Sequence, residues 1–299
     1  MNRQTGSQPF LILTAIVALS VLIACDTGSQ GTGRSQPDAA QQSDNAEPAP
    51  RSESTGISLD ATPQRPVVAE TLPYAEVDEE LVYGHFVFPA DMVDPLPGVI
   101  VIHEWWGLDD SVRAMADRIA AEGYVVLAVD LFAGRSTRSP ADARAMMVEV
   151  VENPGLAEEN IRQAYQFLVD SGQAPSIGAL GWDFGGGWAL NTAILFPDEL
   201  DAAIIYYGQV TTDEGRLEPM NVPLLGLFGA KDLGIPVTTV RGFERALQNL
   251  GKNYEIEIYP DAAHAFADPA GTNYNATVAE QAWTRVLEFL DRHLSDSVD

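Results

Sequence analysis

The sequence predicts an α/β fold, a doubly wound, mostly parallel sheet with helices on both faces. Three observations predict it. Short apolar runs alternate along the chain with segments of helical length and periodicity, the order in which crossover helices join parallel strands. Several of those runs are continuous rather than alternating, as in Val99-Ile100-Val101-Ile102, which suits strands covered on both faces. The stretch Gly181-Trp182-Asp183-Phe184-Gly185-Gly186-Gly187 lies between an apolar run and a helical pattern. It reads as strand, tight turn and helix, with glycines where the backbone must turn sharply and pack closely.

The elements follow in chain order. Arg3 precedes an apolar run from Phe10 to Ile23 that ends in Leu22-Ile23-Ala24-Cys25. A charged start, an apolar middle and a small residue before the cut make residues 1–24 a secretory signal. The Leu-x-Ala-Cys ending resembles a bacterial lipobox, which implies cleavage before Cys25 and a lipid on Cys25. An ordinary signal that leaves a free cysteine is the alternative. Residues 25–66 are rich in Ser, Gln, Pro, Gly, Asp and Ala and hold almost no large apolar side chains, so they read as a disordered tether. The folded domain is expected over 67–299.

Leu81 to Phe88 reads as an early strand, antiparallel and at the sheet edge. Val99 to Ile102 is the first buried strand. Asp109 or Asp110 can cap a helix that runs to Ala121, with Gly123 as its stop signal. Tyr124 to Leu131 is another buried strand. Ser139-Pro140 opens the next helix, with a capping residue followed by proline at the first helical position. A further helix runs from about Leu156 to Val169. The strand Ile177 to Leu180 then leads into the glycine-rich turn and the helical pattern Trp188 to Leu195. Strands follow at Ala202 to Tyr207, Val222 to Phe228 and Tyr254 to Tyr259, with helices at Val237 to Leu250 and Thr277 to Leu294.

The balance of charge is strongly acidic, 17 Lys+Arg against 43 Asp+Glu, a formal charge of -26. That excludes a basic surface for nucleic acid or anionic lipid. With Cys25 as its one cysteine the chain cannot form an internal disulfide.

In a sheet of this kind the site lies beyond the carboxyl ends of the strands. Glu104, Asp183, Asp232 and His264 all fall there. The turn residue, the acid and the histidine occur in the order Asp183, Asp232, His264. That order, with the G-x-D-x-G turn, is that of the α/β-hydrolase fold and its nucleophile elbow. The imidazole can move a proton near neutral pH, and a carboxylate behind it can set its tautomer.

At this point the chain resembles the dienelactone hydrolase family, from about Tyr83 to Leu294. Val101-Ile102-His103-Glu104-Trp105-Trp106-Gly107-Leu108 is similar to the family's strand and Glu-containing turn. Gly181-Trp182-Asp183-Phe184-Gly185-Gly186 is similar to its G-[YF]-C-x-G-G elbow. Asp130-Leu131-Phe132, Tyr206-Tyr207-Gly208, Asp232-Leu233-Gly234-Ile235-Pro236 and His264-Ala265-Phe266 match further segments. The resemblance implies Asp183 at the nucleophile position, His264 as base and Asp232 as its orienter. It implies an oxyanion hole from the backbone N–H groups of Phe184 and Trp105, and Glu104 beside the resting nucleophile. Trp106, Trp182, Arg135 and Tyr207 are expected around the substrate. Packing beneath the elbow is the alternative for the tryptophans.

Two departures from the family pattern change the chemistry. The family's nucleophile is cysteine, and here it is Asp183. An arginine that helps hold a substrate carboxylate is replaced by Asp268, and Arg135 is shifted by one residue from a second. A carboxylate is already ionised at pH 7. It is a poor nucleophile toward an ester carbonyl and a good one toward saturated carbon bearing a leaving group, where it forms an alkyl ester. Haloalkane dehalogenases and epoxide hydrolases of the wider α/β-hydrolase group use an elbow aspartate in this way.

The expectation is a hydrolase acting on an ester, lactone or activated-carbon small molecule. The alternative is a catalytically inactive ligand-binding lipoprotein of the same fold. The expected partners are a small-molecule substrate and, through the N-terminal lipid, the periplasmic face of a bacterial membrane. The domain is expected to be a monomer that uses no cofactor and no metal and binds no nucleic acid.

Overall fold

The computed structural model describes residues 65–295. The signal segment, Cys25 and all but the last two residues of the tether lie outside the described residues. Arg65 and Pro66 are held beside the domain, with Arg65 Nε donating to Asp91 Oδ1 at 2.6 Å and the Pro66 carbonyl accepting from Ala90 N.

The chain then runs β1 (Val67–Val77), β2 (Glu80–Pro89), β3 (Gly98–Ile102), α1 (Asp110–Ala121), β4 (Val125–Val129), α2 (Pro140–Glu152) and α3 (Pro154–Asp170). It continues β5 (Ile177–Trp182), α4 (Phe184–Leu195), β6 (Ala202–Tyr206), α5 (Glu214–Leu217), β7 (Leu224–Gly229), α6 (Val237–Asn249), β8 (Tyr254–Tyr259) and α7 (Ala276–Leu294). The strands form one sheet in the order β1-β2-β4-β3-β5-β6-β7-β8. Pairing is antiparallel for β1–β2 and β2–β4 and parallel from β4 to β8.

The segment read as an edge strand, β2, is antiparallel but internal. It pairs with β4 on one side and β1 on the other. The edge belongs to β1, which is mostly exposed and carries Pro73 at a register shift. Proline is tolerated there because an edge strand leaves N–H groups without ladder partners. Asp109, rather than Asp110, caps α1, its Oδ1 accepting from Ser111 N and Val112 N.

The continuous apolar strands bury both faces, and alternate residues enter different cores. Ile100, Ile102, Val125, Leu127, Ala179, Ala203 and Ile205 pack against α2, α3, α4 and α6. Val99, Val101, Val126, Leu180, Ile204 and Tyr206 pack against α1 and α7. This period of two is what a pleated strand imposes. Strand order reverses at β3, which leads outward to β4 while β5 returns on its other side. Loops diverge there and open a crevice at the carboxyl ends of β3 and β5. No helix among the described residues is long and apolar enough to cross a membrane.

Candidate active site

The β5–α4 turn sets Asp183 just past the carboxyl end of β5. Asp183 adopts φ 52°, ψ -114°, a conformation disfavoured for a residue with a side chain. The neighbours enforce it. Asp183 N donates to the Tyr206 carbonyl at 3.0 Å, and Gly187 N donates to the Asp183 carbonyl at 3.1 Å. A Cβ on Gly181 would stand 2.2 Å from the Gly185 carbonyl oxygen, and one on Gly185 would stand 2.2 Å from that of Ile102. These close approaches hold α4 against β3 and explain two of the elbow's glycines. Asp183 stands at the N-terminus of α4, where the helix dipole favours an anion.

His264 arrives in the loop after β8. Phe266, fully buried, anchors that loop by packing against Tyr206, Tyr207 and Tyr259. The imidazole spans two carboxylates. Its Nε2 lies 3.1 Å from Asp183 Oδ1 and its Nδ1 lies 2.8 Å from Asp232 Oδ2. Asp232 sits just past β7, its side chain 0% exposed. Its other oxygen accepts from Gly234 N at 2.8 Å and Ile235 N at 2.9 Å, which fixes the carboxylate plane.

Two ionised carboxylates can only accept, so both ring nitrogens must donate, and the ring that satisfies this geometry is the imidazolium. The electrostatics agree. Burial works against the charged ring, but the hydrogen bonds to Asp183 and Asp232 and their negative charge outweigh it, raising the His264 pKa from 6.5 to about 10. The resting constellation at neutral pH is therefore carboxylate, imidazolium, carboxylate. The positive charge that balances Asp183 comes from His264.

Phe184 begins α4, so its backbone N–H is among the first-turn donors that have no helical acceptor. Its ring stacks on His103 at 6.0 Å. Trp105 is half-buried in the turn after β3 and packs against Trp106 at 4.6 Å. Trp106 and Trp182 are both buried. Trp182 stacks on Tyr206 at 5.7 Å and also faces a small cavity.

That cavity, about 40 Å³, is lined among others by Glu104, Met115, Trp182, Tyr207, Asp268 and Pro269. Tyr207 connects it with the His264 side of the site, its ring centroid lying 5.3 Å from that of His264. Burial, then the negative charges of Glu104 and Asp268, push the Tyr207 hydroxyl's pKa far above its ordinary value. Arg135 is elsewhere. It is bound to Glu149 and lines a separate cavity with Arg113, Tyr83 and Asp130.

The sequence reading passed over a polar network beneath the β3 turn. Leu131 N donates to His103 Nε2 at 3.0 Å, which places the ring proton on Nδ1 for donation to the Glu104 carbonyl at 2.6 Å. Burial holds His103 below its ordinary pKa despite the charge of nearby Asp130, in keeping with this neutral form. Asp130 accepts from Phe132 N and Gly134 N, and Asn160 Nδ2 donates to the Asp130 carbonyl at 2.9 Å. Tyr74 from the edge strand donates to Asn160 Oδ1 at 2.5 Å. The network ties the Glu104 turn to β1, β4 and α3. His103, adjacent to Glu104 at a strand end, was the one signal of it in the sequence.

Comparison with known proteins gives a consistent picture. A family model described as "Dienelactone hydrolase family" matches residues 83–294. A "Putative carboxymethylenebutenolidase" of Escherichia coli K12 is 29% identical over 219 residues, 69% of this chain and 80% of that protein. "Protein usf" of Aquifex pyrophilus is 28% identical over 206 residues, covering 67% of this chain and 89% of its own length. Among solved structures, a "Putative Dienelactone Hydrolase" from Klebsiella pneumoniae superposes with a TM-score of 0.69 at 26% identity, over 76% of this chain and 99% of its own.

Proposed function

The chain belongs to the dienelactone hydrolase family and is a hydrolase, and on that premise we propose that Asp183 is its nucleophile, attacking a saturated carbon that bears a leaving group. The observation that carries this reading is the imidazole held between two carboxylates. A cysteine or serine at the elbow needs a neutral histidine to take its proton, whereas an ionised Asp183 needs no base.

The cycle balances with these three residues. An Asp183 oxygen bonds to the substrate carbon as the bond to the leaving group breaks, and the His264 Nε2–H passes its proton to a departing oxygen, or to solvent where a halide departs. The product is a neutral ester of Asp183. Asp232 still accepts from Nδ1–H, so the neutral ring exposes a basic Nε2. Water gives that nitrogen a proton, and the hydroxide adds to the Asp183 carbonyl carbon. The oxyanion faces the backbone N–H groups of Phe184 and Trp105 in this reading. Collapse releases the alkoxide, which takes the new carboxyl proton and departs as an alcohol. Carboxylate and imidazolium are restored.

The alternative, a ligand-binding protein without turnover, draws on the same imidazolium, because a ring already protonated cannot serve as a resting base. Assays of the full chain on haloacid, epoxide and ester panels decide between them, with Asp183→Ala and Asp183→Cys in parallel. Turnover abolished in Asp183→Ala supports the nucleophile. Ester hydrolysis by Asp183→Cys alone, with an inert natural chain, favours the binder.

We also propose that Cys25 carries a lipid that anchors the domain at the cell envelope, on the strength of Leu22-Ile23-Ala24-Cys25. Metabolic labelling with a tritiated fatty acid tests this. Label that persists in Cys25→Ala contradicts it.

A further inference from the structure

His103 is a fully buried titratable side chain that the cycle above does not use. Its two ring nitrogens are committed in opposite senses. Nε2 accepts from Leu131 N, so the proton sits on Nδ1, which donates to the Glu104 carbonyl at 2.6 Å. The same carbonyl accepts from Gly107 N at the longer distance of 3.2 Å. The Glu104–Trp105 peptide is trans and planar, so its C=O and N–H point in opposite directions. With the carbonyl held by His103 and Gly107, the Trp105 N–H is turned away from both. No acceptor for that N–H occurs among the described residues. The strand end that carries His103 lies against the start of α4. A Cβ on Gly185 would stand 2.5 Å from the His103 carbonyl oxygen, and the His103 ring packs on Phe132 at 4.6 Å and Phe184 at 6.0 Å.

We propose that His103 is a positioning residue for hydrolysis of the Asp183 ester, aiming the Trp105 N–H at the oxygen that becomes the oxyanion. The proposal rests on the reading of Asp183 as nucleophile and of Trp105 N–H as an oxyanion donor. His103 acts through one peptide plane and not by contact with the substrate. Because that plane turns as a unit, a hydrogen bond that fixes its carbonyl also fixes its N–H. The neutral ring is the form that suits the task, since an imidazolium would leave Leu131 N–H without an acceptor. The two halves of the cycle ask different things of the donor. During alkylation, the Asp183 oxygen that does not attack loses negative charge as it becomes an ester carbonyl. When hydroxide adds, that oxygen gains a full charge. A donor already aimed at it stabilises the oxyanion more than the neutral ester. Loss of aim should therefore slow the second half of the cycle and spare the first.

Two variants of the full chain separate this role from packing. In His103→Asn the amide nitrogen can take the place of Nδ1 and donate to the Glu104 carbonyl, while Leu131 N loses its acceptor. In His103→Gln the amide oxygen can take the place of Nε2 and accept from Leu131 N, while the Glu104 carbonyl loses its donor. Single-turnover kinetics with the substrate found in the panel resolve alkylation from ester hydrolysis. In His103→Gln ester hydrolysis is expected to slow by about 10- to 100-fold and alkylation by less than about threefold, so kcat and KM fall together and kcat/KM holds. His103→Asn should stay within about threefold of the natural chain in both steps, although urea unfolding should show it to be the less stable variant. Ester hydrolysis unchanged in His103→Gln, or activity that follows the order of stability, overturns the proposal. NMR supplies a readout without turnover. Nitrogen spectra should show His103 protonated on Nδ1, and residual dipolar couplings should show the Trp105 N–H direction kept in His103→Asn and turned in His103→Gln. A proton on Nε2, or an unturned Trp105 N–H in His103→Gln, overturns the aiming. If His103→Gln fails to fold, the ring tautomer of the natural chain and His103→Asn decide, and ester hydrolysis slowed about tenfold or more in His103→Asn overturns the proposal. A natural chain inert on the whole panel overturns the hydrolase reading, and the dipolar couplings then decide the aiming of Trp105 alone.

Discussion

Replacing Asp183 with asparagine should lower the pKa of His264 by about 1–3 units, the usual effect of one opposite charge at hydrogen-bond distance. The amide oxygen can still accept from Nε2–H across the 3.1 Å contact, so the change removes charge and little else. In the natural chain the pKa rises from 6.5 to about 10, an interaction worth roughly 5 kcal/mol at about 1.4 kcal/mol per unit, before solvent screening of a side chain that is 29% exposed. Two carboxylates share it, and Asp232 remains. The assay is an NMR titration of the His264 ring carbons against pH in both proteins. The reasoning is refuted if His264 of the natural chain titrates near 6.5, or if Asp183→Asn leaves its midpoint in place. The prediction bears on mechanism because alkylation of Asp183 removes the same charge. The fall in pKa is what lets His264 change from proton donor in the first half of the cycle to base in the second.

Other outcomes follow from the same geometry. A pKa raised on folding stabilises the protein fully below the unfolded value of 6.5, and that contribution declines as pH rises from 6.5 through about 10. Urea unfolding across this range should show a loss in the natural chain that is absent in His264→Gln. Asp232→Asn keeps an oxygen for Gly234 and Ile235 but turns an amide N–H toward Nδ1. The ring then holds its proton on Nε2 and cannot activate water. Turnover should fall by about 10³–10⁴-fold in the same substrate assays. Gly181→Ala puts a Cβ 2.2 Å from the Gly185 carbonyl and should destabilise the domain by about 3 kcal/mol or more in urea unfolding. Phe266→Ala empties the buried anchor under His264 and should cost about 3–5 kcal/mol, together with activity.

The parallel sheet and the elbow were legible because their signals are local. β-branched runs, a glycine-rich turn and a helical period lie within a few residues of one another. Asp183, Asp232 and His264 were legible because each follows a strand directly, and the topology brings carboxyl ends of parallel strands to one edge. β1 was not, since an exposed edge strand with Pro73 carries neither alternation nor an apolar run. That omission shifted β2 to the edge in the sequence reading. The network of Tyr74, His103, Asp130 and Asn160 spans separations of up to 86 residues, and no local pattern announces it. The cavity was hidden for a similar reason. Met115 reads as one more apolar residue of an amphipathic helix, and only folding brings α1 beside Glu104, Tyr207 and Asp268. The charge of the Asp183–His264 pair also needed distances, because sequence order does not say whether the ring reaches one carboxylate or two.

The central claim is that Asp183 forms the covalent bond. Single turnover in water enriched in oxygen-18, with enzyme in excess over the substrate found in the panel, tests it most directly. The account predicts that peptide mass spectrometry finds one heavy oxygen in the Asp183 carboxylate, and that the first alcohol released carries the light oxygen that Asp183 held before. Heavy oxygen in the product with an unlabelled Asp183 would mean that water attacks the substrate itself, and would contradict the account.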